Sequence, residues 1–247
     1  MATIYYYLRL SFEAIKVLIV LNFWNQKPYV MPITTVNPTQ GVEQWLTKTV
    51  IPESPFTVFV KNVHPVSNEA QAFINQKAFP SQLNKGEVLI AAGTVCKNVY
   101  LIRKGILRSY IKEEKKEITT WISGEQELAT CITSFGLQQP ARENIQALED
   151  CELSTLSFDD LQYLYDNFPE ANIVGRKILE RYYRDAEERA FIARLMEATS
   201  KYKHFIATKS ELLNRVPLKF IASYLGMTLE TLSRIRSKLS RSINEFN

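Results

Sequence analysis

The residues of this 247-residue chain most suited to specific chemistry lie close to its C-terminus. Four polar residues there are spaced by three, four and seven positions: Glu230, Ser233, Arg234 and Ser237. In a helix that spacing places the four side chains on one face. A carboxylate on such a face can accept from N4 of cytosine, an arginine can bridge O6 and N7 of guanine, and a serine can contact a base or a phosphate. The pattern therefore predicts a face that reads base edges in a DNA major groove.

Two short helices joined by a glycine turn would position this face. The first helix carries an apolar stripe at Leu218, Ile221, Ala222 and Leu225, and the second carries one at Leu232, Ile235 and Leu239. Between them, Gly226 suits the positive φ that ends a helix sharply. Thr228 can cap the second helix, and Glu230 in its first turn favours the helix dipole. The segment therefore predicts a helix-turn-helix whose recognition helix covers residues 229–241.

The distribution of charge supports contact with a polyanion. Residues 201–247 contain nine Lys or Arg and three Glu, a net charge of +6, whereas the first 200 residues contain 21 basic and 23 acidic residues, a net charge of −2. A solvated basic surface would show the same asymmetry, so the prediction depends on position as well. We expect contacts to the DNA backbone from Lys219, Thr228, Arg236, Ser237, Lys238 and Arg241.

The middle of the chain has the pattern of an antiparallel β domain. Short apolar runs separated by turn residues predict strands over 87–91, 99–103, 106–112, 117–122, near 128–132, over 144–147 and over 152–156. A short helix is expected over 67–76, and the prolines of residues 31–62 indicate irregular structure. Such a series of strands is typical of a roll, barrel or sandwich.

A long helix is predicted to follow, from about Pro169 to Thr199. Its apolar stripe consists of Ile178, Tyr182, Ala186, Ala193 and Met196. A helix of about 45 Å exceeds what one small domain usually covers, so we expect this stripe to form a homodimer contact. The alternative is that the stripe lies on the β domain of the same chain.

These features together resemble one family of bacterial regulators. The run Glu230-Thr231-Leu232-Ser233-Arg234, preceded by residues 221–226, resembles the Crp/Fnr family, and residues 101–108 resemble its second and third roll strands. The likeness extends over about 67–243 and includes residues 145–149 and 215–217. The resemblance implies an α+β fold with an antiparallel, cyclic-nucleotide-binding-like β-roll, a long dimerisation helix and a C-terminal winged helix-turn-helix. It also implies that Glu230, Ser233 and Arg234 read bases.

The domain organisation follows from these elements. We expect an N-terminal extension over 1–60, the roll over 61–168, the dimerisation helix over 169–199 and the DNA-binding domain over 200–247. Residues 1–30 are either an added helix or an extension upstream of a start at Met31, because the apolar run of residues 17–21 is too short for a membrane span. Location in the cytoplasm, without membrane contact, is expected.

The predicted roll departs from relatives that bind cyclic AMP. In those proteins, as the resemblance implies, an Arg-Ser pair binds the cyclic phosphate and a Gly-Glu pair binds the ribose. Here Ala141 falls at the arginine position, with Arg142 on the opposite face of an extended segment. Residues 130–135 contain no Gly-Glu pair, and Gly124-Glu125 is too early, in a turn. The sequence predicts that the roll does not bind cyclic AMP and holds another small ligand or none.

Other chemistry finds little support. Three dispersed cysteines, Cys96, Cys131 and Cys151, are too few for an iron–sulfur cluster, although Cys96 could respond to oxidants. The two histidines, His64 and His204, are expected to be ordinary surface or loop residues rather than axial haem ligands, so no cofactor is expected. The alternatives left open are a metal-dependent cupin-like enzyme and a module whose roll docks a protein.

The expected partners are double-stranded DNA and a second copy of the chain, and RNA polymerase is a further candidate. The effector, the promoter and the sign of regulation stay open.

Overall fold

The computed structural model describes residues 53–244, apart from the side chains of 241–244. Its helices are α1 (Pro55–Val63), α2 (Asn68–Lys77), α3 (Ile132–Leu137), α4 (Phe158–Asn167), α5 (Pro169–Arg194), α6 (Ala198–Thr208), α7 (Leu218–Tyr224) and α8 (Leu229–Asn244), with a 3₁₀ turn at Ser210–Leu212. Its strands are β1 (Phe79–Leu83), β2 (Val88–Ile90), β3 (Asn98–Lys104), β4 (Leu107–Glu113), β5 (Lys116–Ser123), β6 (Leu128–Ala129), β7 (Asn144–Ala147) and β8 (Cys151–Ser157). The expectations for residues 1–30 and for the side chain of Arg241 lie outside the described residues.

The eight strands form an antiparallel roll of two sheets. One sheet has the order β1-β8-β3-β6 and the other β2-β7-β4-β5. The turn from β3 to β4 requires Gly105, which has φ +96° and whose missing Cβ would lie 2.6 Å from Sγ of Cys151. The core of the roll contains fully buried Leu101, Ile102 and Ile145. The α+β class, with a β-roll, a long helix and a C-terminal helix-turn-helix, is thereby confirmed.

Three elements were not expected from the sequence. Helix α1 begins at Pro55, because a proline at the first helical position lacks only an N–H that would be unpaired there, and the Ser54 hydroxyl accepts from Thr57 N at 3.1 Å. Strand β1 contains Pro80 but lies at the edge of its sheet, where a proline is tolerated. Helix α3, with six residues, replaces the end of the strand predicted near 128–132.

Two boundaries differ from the predicted domains. Helix α1 packs Phe56 and Phe59 into the core of the roll, so the packing of this domain begins before residue 61. Helix α5 ends at Arg194 rather than at 199, because Leu195 leaves the helical conformation with ψ 131°. After Ser157, the part of the chain that the structure describes contains helices only, so strands for a wing are not found up to residue 244.

A second apolar core joins the C-terminal helices to the roll. Phe205, Leu212 and Ile221 are completely or almost completely buried in it. The same cluster includes three roll residues: Ile106, Ile122 and Leu148. The helix-turn-helix therefore packs directly on the roll instead of standing free at the end of α5.

Candidate nucleic-acid interface

The turn between α7 and α8 has the geometry that its sequence predicts. Gly226 has φ +66°, its N–H donates to Ser223 O at 3.1 Å, and Met227 N donates to Ala222 O at 3.0 Å. This pair of bonds is the Schellman arrangement, in which a left-handed residue satisfies the last carbonyls of a helix. The chain consequently changes direction within a few residues, and α8 leaves the turn as a separate helix.

The N-terminus of α8 is capped as expected. The Thr228 hydroxyl accepts from Thr231 N at 3.1 Å, and its Oγ1 lies 2.9 Å from Thr231 Oγ1. The Thr228 hydroxyl is engaged in the cap, and its contact with a DNA phosphate stays a prediction. The cap fixes the first turn of α8, from which the carboxylate of Glu230 projects into solvent.

The three predicted base-reading residues lie together on the exposed side of α8. Glu230, Ser233 and Arg234 are all exposed, and the side chains of Glu230 and Arg234 remain 72% and 77% accessible. Arg234 donates to Glu230 across one helical turn at 2.5 Å. The pair is therefore solvent-exposed and mutually oriented, and an exposed pair of this kind adds little to stability.

The predicted backbone contacts surround this face. Ser237 and Lys238 are exposed on α8, Lys219 is exposed on α7 with Nζ 4.8 Å from the centre of the Phe220 ring, and Arg236 is half-buried. The buried stripe of the two helices is as expected, with Ile221, Ala222 and Leu232 almost inaccessible to solvent. The structure thus presents a polar and basic surface on the side of α8 away from the core.

The helix-turn-helix is held to the roll by a buried arginine that sequence reasoning missed. Arg108 of β4 is only 2% exposed, and its guanidinium carbon lies between two aromatic rings, 4.2 Å from the centre of Tyr110 and 3.8 Å from that of Phe220. Its Nη2 donates to Gln146 Oε1 at 2.8 Å and forms an ion pair with Glu117. Because Phe220 belongs to α7, the stack joins the roll to the first helix of the pair.

The edge of β5 is a further contact between α7 and the roll. The Ser223 hydroxyl accepts from Thr119 N at 2.9 Å and donates to Glu117 O at 3.2 Å. One side chain thereby pairs two backbone groups at the open edge of the sheet, where β5 has no further strand beside it. This contact aligns α7 along β5.

A second arginine, in the loop before α7, binds two turns of the roll. Arg215 donates from Nη1 and Nη2 to the two carboxylate oxygens of Glu125 at 2.8 and 2.7 Å, and from Nε and Nη2 to those of Glu149 at 3.2 and 2.6 Å. The hydrogen bonds from Arg215 lower the pKa of Glu125 to about 2, and the two carboxylates raise the pKa of Arg215. Glu125 is in a turn, as predicted, and its carboxylate accepts the two hydrogen bonds from Arg215.

The roll contains a small cavity of about 140 Å³ beside Ala141, the residue expected to replace the phosphate-binding arginine. It is lined by Ile111, Cys131, Thr133, Ser134, Pro140, Ala141, Arg142 and Glu143. Arg142 lines the cavity together with Ala141, which differs from the expectation that it faces the other way. The Glu143 carboxylate accepts from the hydroxyls of Ser109 and Thr120 and adds negative charge to the wall.

The three cysteines are buried and free. A hydrogen bond from Cys131 lowers the pKa of the Cys96 thiol to about 6, and the same contact raises the pKa of Cys131. Burial raises the pKa of Cys151 to about 11. Within residues 53–244 no three Cys, His, Asp or Glu side chains come together in a way that could hold a metal ion. A response of Cys96 to oxidants stays a prediction.

The residues predicted for dimerisation are divided between two environments. Ile178 packs against the core of the roll, and the Tyr182 hydroxyl bonds to the backbone N and O of Leu128, so these two face their own chain as the alternative predicted. Burial raises the pKa of Tyr182 to about 12. Ala186 is half-buried, whereas Ala193 and Met196 are exposed. Three large apolar residues of α5 outside the predicted stripe are exposed: Leu179, Tyr183 and Phe191.

No helix in the described part of the chain is long and apolar enough to cross a membrane.

Comparison with known proteins identifies the roll and the chain's relatives. A family model described as a cyclic nucleotide-binding domain matches residues 80–168. The fumarate and nitrate reduction regulatory protein of Yersinia pestis is 27% identical over 172 residues, 65% of this chain and 68% of its own. The anaerobic regulatory protein of Pasteurella multocida is 25% identical over 199 residues, 76% of this chain and 70% of its own.

Two solved structures share the fold. FixK2 from Bradyrhizobium japonicum matches with a TM-score of 0.59 and 19% identity, covering 67% of this chain and 85% of its own. A mutant of CooA from Carboxydothermus hydrogenoformans matches with a TM-score of 0.57 and 19% identity, covering 78% of this chain and 88% of its own. The likeness includes more of this chain than the roll alone.

Proposed function

Because the chain belongs to the Crp/Fnr family of transcription regulators, we propose that it recognises specific duplex DNA as a homodimer through α8. The observation that carries the proposal is the exposed face of Glu230, Ser233 and Arg234, which a glycine turn and a threonine cap direct away from the core. A helix of 16 residues with a polar outer face fits a major groove. The chain is a regulator rather than an enzyme, as its relatives are.

The dimer contact is proposed for the exposed apolar side of α5. Leu179, Tyr183 and Phe191 are 44%, 41% and 52% accessible, and four or eight residues separate neighbours in this series. An apolar stripe of this kind on a 26-residue helix is suited to a partner helix. Two copies related by a twofold axis would place two α8 helices about 34 Å apart on a near-palindromic site. Ala193 of α5 and Met196, which follows the end of α5, are exposed and stay proposed parts of the dimer contact.

The roll is proposed not to bind cyclic AMP. Its cavity of about 140 Å³ is small beside the roughly 300–1,000 Å³ of typical ligand pockets. Ala141 supplies no positive charge, and the Glu143 carboxylate opposes an anionic ligand on the same wall. Arg142 is the one cation among the residues lining this cavity, and it is exposed to solvent.

We propose that the protein acts on DNA in the cytoplasm and that RNA polymerase is a further partner.

Selection from a random duplex pool tests the proposal. The full-length protein should enrich a near-palindrome with two half-sites, and its affinity for the selected duplex should fall steeply as salt is raised, since phosphate contacts release counterions. Recovery of unselected sequence at every salt concentration would refute specific recognition. Binding that does not depend on salt would favour the alternative of a protein-docking module.

A further inference from the structure

The interdomain contact formed by Arg215 has no part in the proposed base reading. Its guanidinium makes four hydrogen bonds to Glu125 in the β5–β6 turn and Glu149 in the β7–β8 turn. Both partners belong to the roll, 90 and 66 residues earlier in the chain. One side chain of the DNA-binding region therefore joins two separate turns of the other domain.

The covalent connection between α5 and the C-terminal helices is short and exposed. Only residues 195–197 separate α5 from α6, and Met196 is 99% accessible. A connection of three residues can act as a hinge, so it does not by itself fix the direction of the helices that follow. The direction of α8 is consequently determined by contacts with the roll: the apolar core that contains Ile106, Ile122 and Leu148, and three polar contacts, which are the Arg215 cluster, the Ser223 contact to β5 and the stack of Arg108 on Phe220.

Small rotations of the helix pair have a large effect at the DNA. Helix α8 has 16 residues, which corresponds to about 24 Å. A rotation of about 15° would move its far end by roughly 6 Å, close to two base pairs at about 3.4 Å each. A protomer that holds its recognition helix rigidly therefore accepts a narrower range of half-site separations than one whose helix swings.

We propose that Arg215 is a positioning residue that fixes the direction of α8 by binding Glu125 and Glu149, and thereby sets the spacing of the half-sites that the dimer accepts. This inference rests on the proposed function as a dimeric DNA-binding regulator. Arg215 is unsuited to phosphate contact in this arrangement, because one guanidinium between two carboxylates leaves a local charge of −1. The low pKa of Glu125 is consistent with a carboxylate that stays ionised in the cluster.

The test removes the acceptors on the roll and leaves the cation in place. In the double variant Glu125→Gln/Glu149→Gln the side chains keep their size and Arg215 is retained, so a change cannot come from loss of the Arg215 side chain. Arg215→Lys keeps the charge but not the forked geometry that binds two carboxylates. Glu53→Gln, which breaks the exposed ion pair with Lys61 of α1, is the control for loss of a carboxylate outside the cluster.

Affinity is measured for duplexes with two selected half-sites whose separation is changed one base pair at a time, and for a duplex with one half-site. The native protein and Glu53→Gln should show one sharp maximum, with at least tenfold weaker binding two base pairs away. The double variant Glu125→Gln/Glu149→Gln and the single variant Arg215→Lys should each reduce that ratio to threefold or less. Their affinity for the duplex with one half-site should stay within twofold of the native value. Thermal melts establish that each variant is folded.

Three outcomes separate this inference from the proposal beneath it. If both variants are folded and their DNA affinity still shows one sharp maximum as the half-site separation changes, the positioning role of Arg215 alone is overturned. Equal binding of the native protein at all separations would also overturn it, while recognition of the half-site would stand. Failure of the native protein to select any sequence would overturn the proposed function and the inference with it.

Discussion

The guanidinium carbon of Arg108 lies 3.8 Å from the centre of the Phe220 ring, although β4 of the roll carries one residue and α7 the other. Side chains alternate along a strand, so residues next to Arg108 face the opposite side of the sheet. On that side Ser109 bonds to Glu143 and Ile111 lines the cavity. A single layer of sheet therefore separates the cavity from the surface on which the helix-turn-helix docks.

Replacing Phe220 by leucine should destabilise the protein by about 1–2 kcal/mol. The apolar volume is nearly kept, but a desolvated cation–π contact with Arg108 is lost, and such contacts contribute about 2 kcal/mol when buried. Urea unfolding followed by circular dichroism measures the change. Phe79→Leu, on an exposed ring of the edge strand β1, should change stability by less than about 0.5 kcal/mol. Equal losses in the two variants would contradict a special role for the stack.

Local features of the sequence were sufficient to predict the recognition unit. The turn at Gly226 and the cap at Thr228 involve residues within five positions of each other, so their bonds depend on local sequence alone. Strand β7 was predicted at Asn144–Ala147 and is found there, because alternation of residue type marks a half-buried strand.

Features that depend on distant parts of the chain were missed. Arg215 and Glu125 are 90 residues apart, and nothing in their neighbours indicates that they meet. The neighbours of Arg108 in the sequence do not indicate its burial, because the Phe220 ring that covers one side of it belongs to α7. Helix α3 is too short for its period to be recognised. Ile178 and Tyr182 have helical spacing, but spacing alone does not show whether such a stripe packs on a second protomer or on the roll of the same chain.

The cluster at Arg215 should make stability depend on pH in acid. The pKa of Glu125 is lowered from 4.5 to about 2, so its pairing contributes fully above pH 4.5 and is lost as the pH falls from there toward 2. The melting temperature of the native protein should exceed that of Glu125→Gln at pH 6, and the difference should shrink progressively toward pH 3. A constant difference across that range would mean that the carboxylate is not ionised in the pair. Glu53→Gln supplies the baseline, because its ion pair is exposed.

Cyclic AMP should neither bind tightly to the roll nor change DNA affinity. The wall near Ala141 offers no buried cation, and the Glu143 carboxylate repels a phosphate. Isothermal calorimetry with the full-length protein should show no binding up to millimolar nucleotide. Micromolar binding that Arg142→Ala abolishes would establish instead that the neighbouring arginine takes over the phosphate.

Dimerisation should depend on the exposed apolar residues of α5. The double variant Leu179→Ser, Phe191→Ser is expected to be a monomer at micromolar concentration by light scattering, whereas the native protein is a dimer. Its affinity for the paired site should fall at least tenfold, because two linked half-site contacts become independent. Arg181→Ser, which changes an exposed residue two positions from both Leu179 and Tyr183 and therefore on another face of the same helix, should remain dimeric. A native protein with the mass of a monomer, with and without DNA, would contradict the proposed assembly.

Replacing Arg234 or Lys238 by alanine should weaken DNA binding by the protein in two different ways. Arg234 lies one turn after Glu230 on the exposed face and can reach a base edge in the same stretch of groove. Arg234→Ala should cost about 1–3 kcal/mol at the selected site and relax the preference for one guanine in each half-site. Lys238→Ala, if it loses only a phosphate contact, should weaken all sequences alike and reduce the salt slope by about one unit.

The Glu230–Arg234 ion pair offers a competing explanation that the same measurements resolve. If Arg234 only braces α8 through Glu230, its loss should lower the melting temperature and leave sequence preference as it was. The pair is more than 70% exposed at both ends, so we expect its effect on stability to stay below about 0.5 kcal/mol. Titrations of Arg234→Ala with selected and random duplexes then decide its role. An equal loss on both duplexes would show that Arg234 contacts the backbone, and a loss confined to the selected duplex would establish base reading.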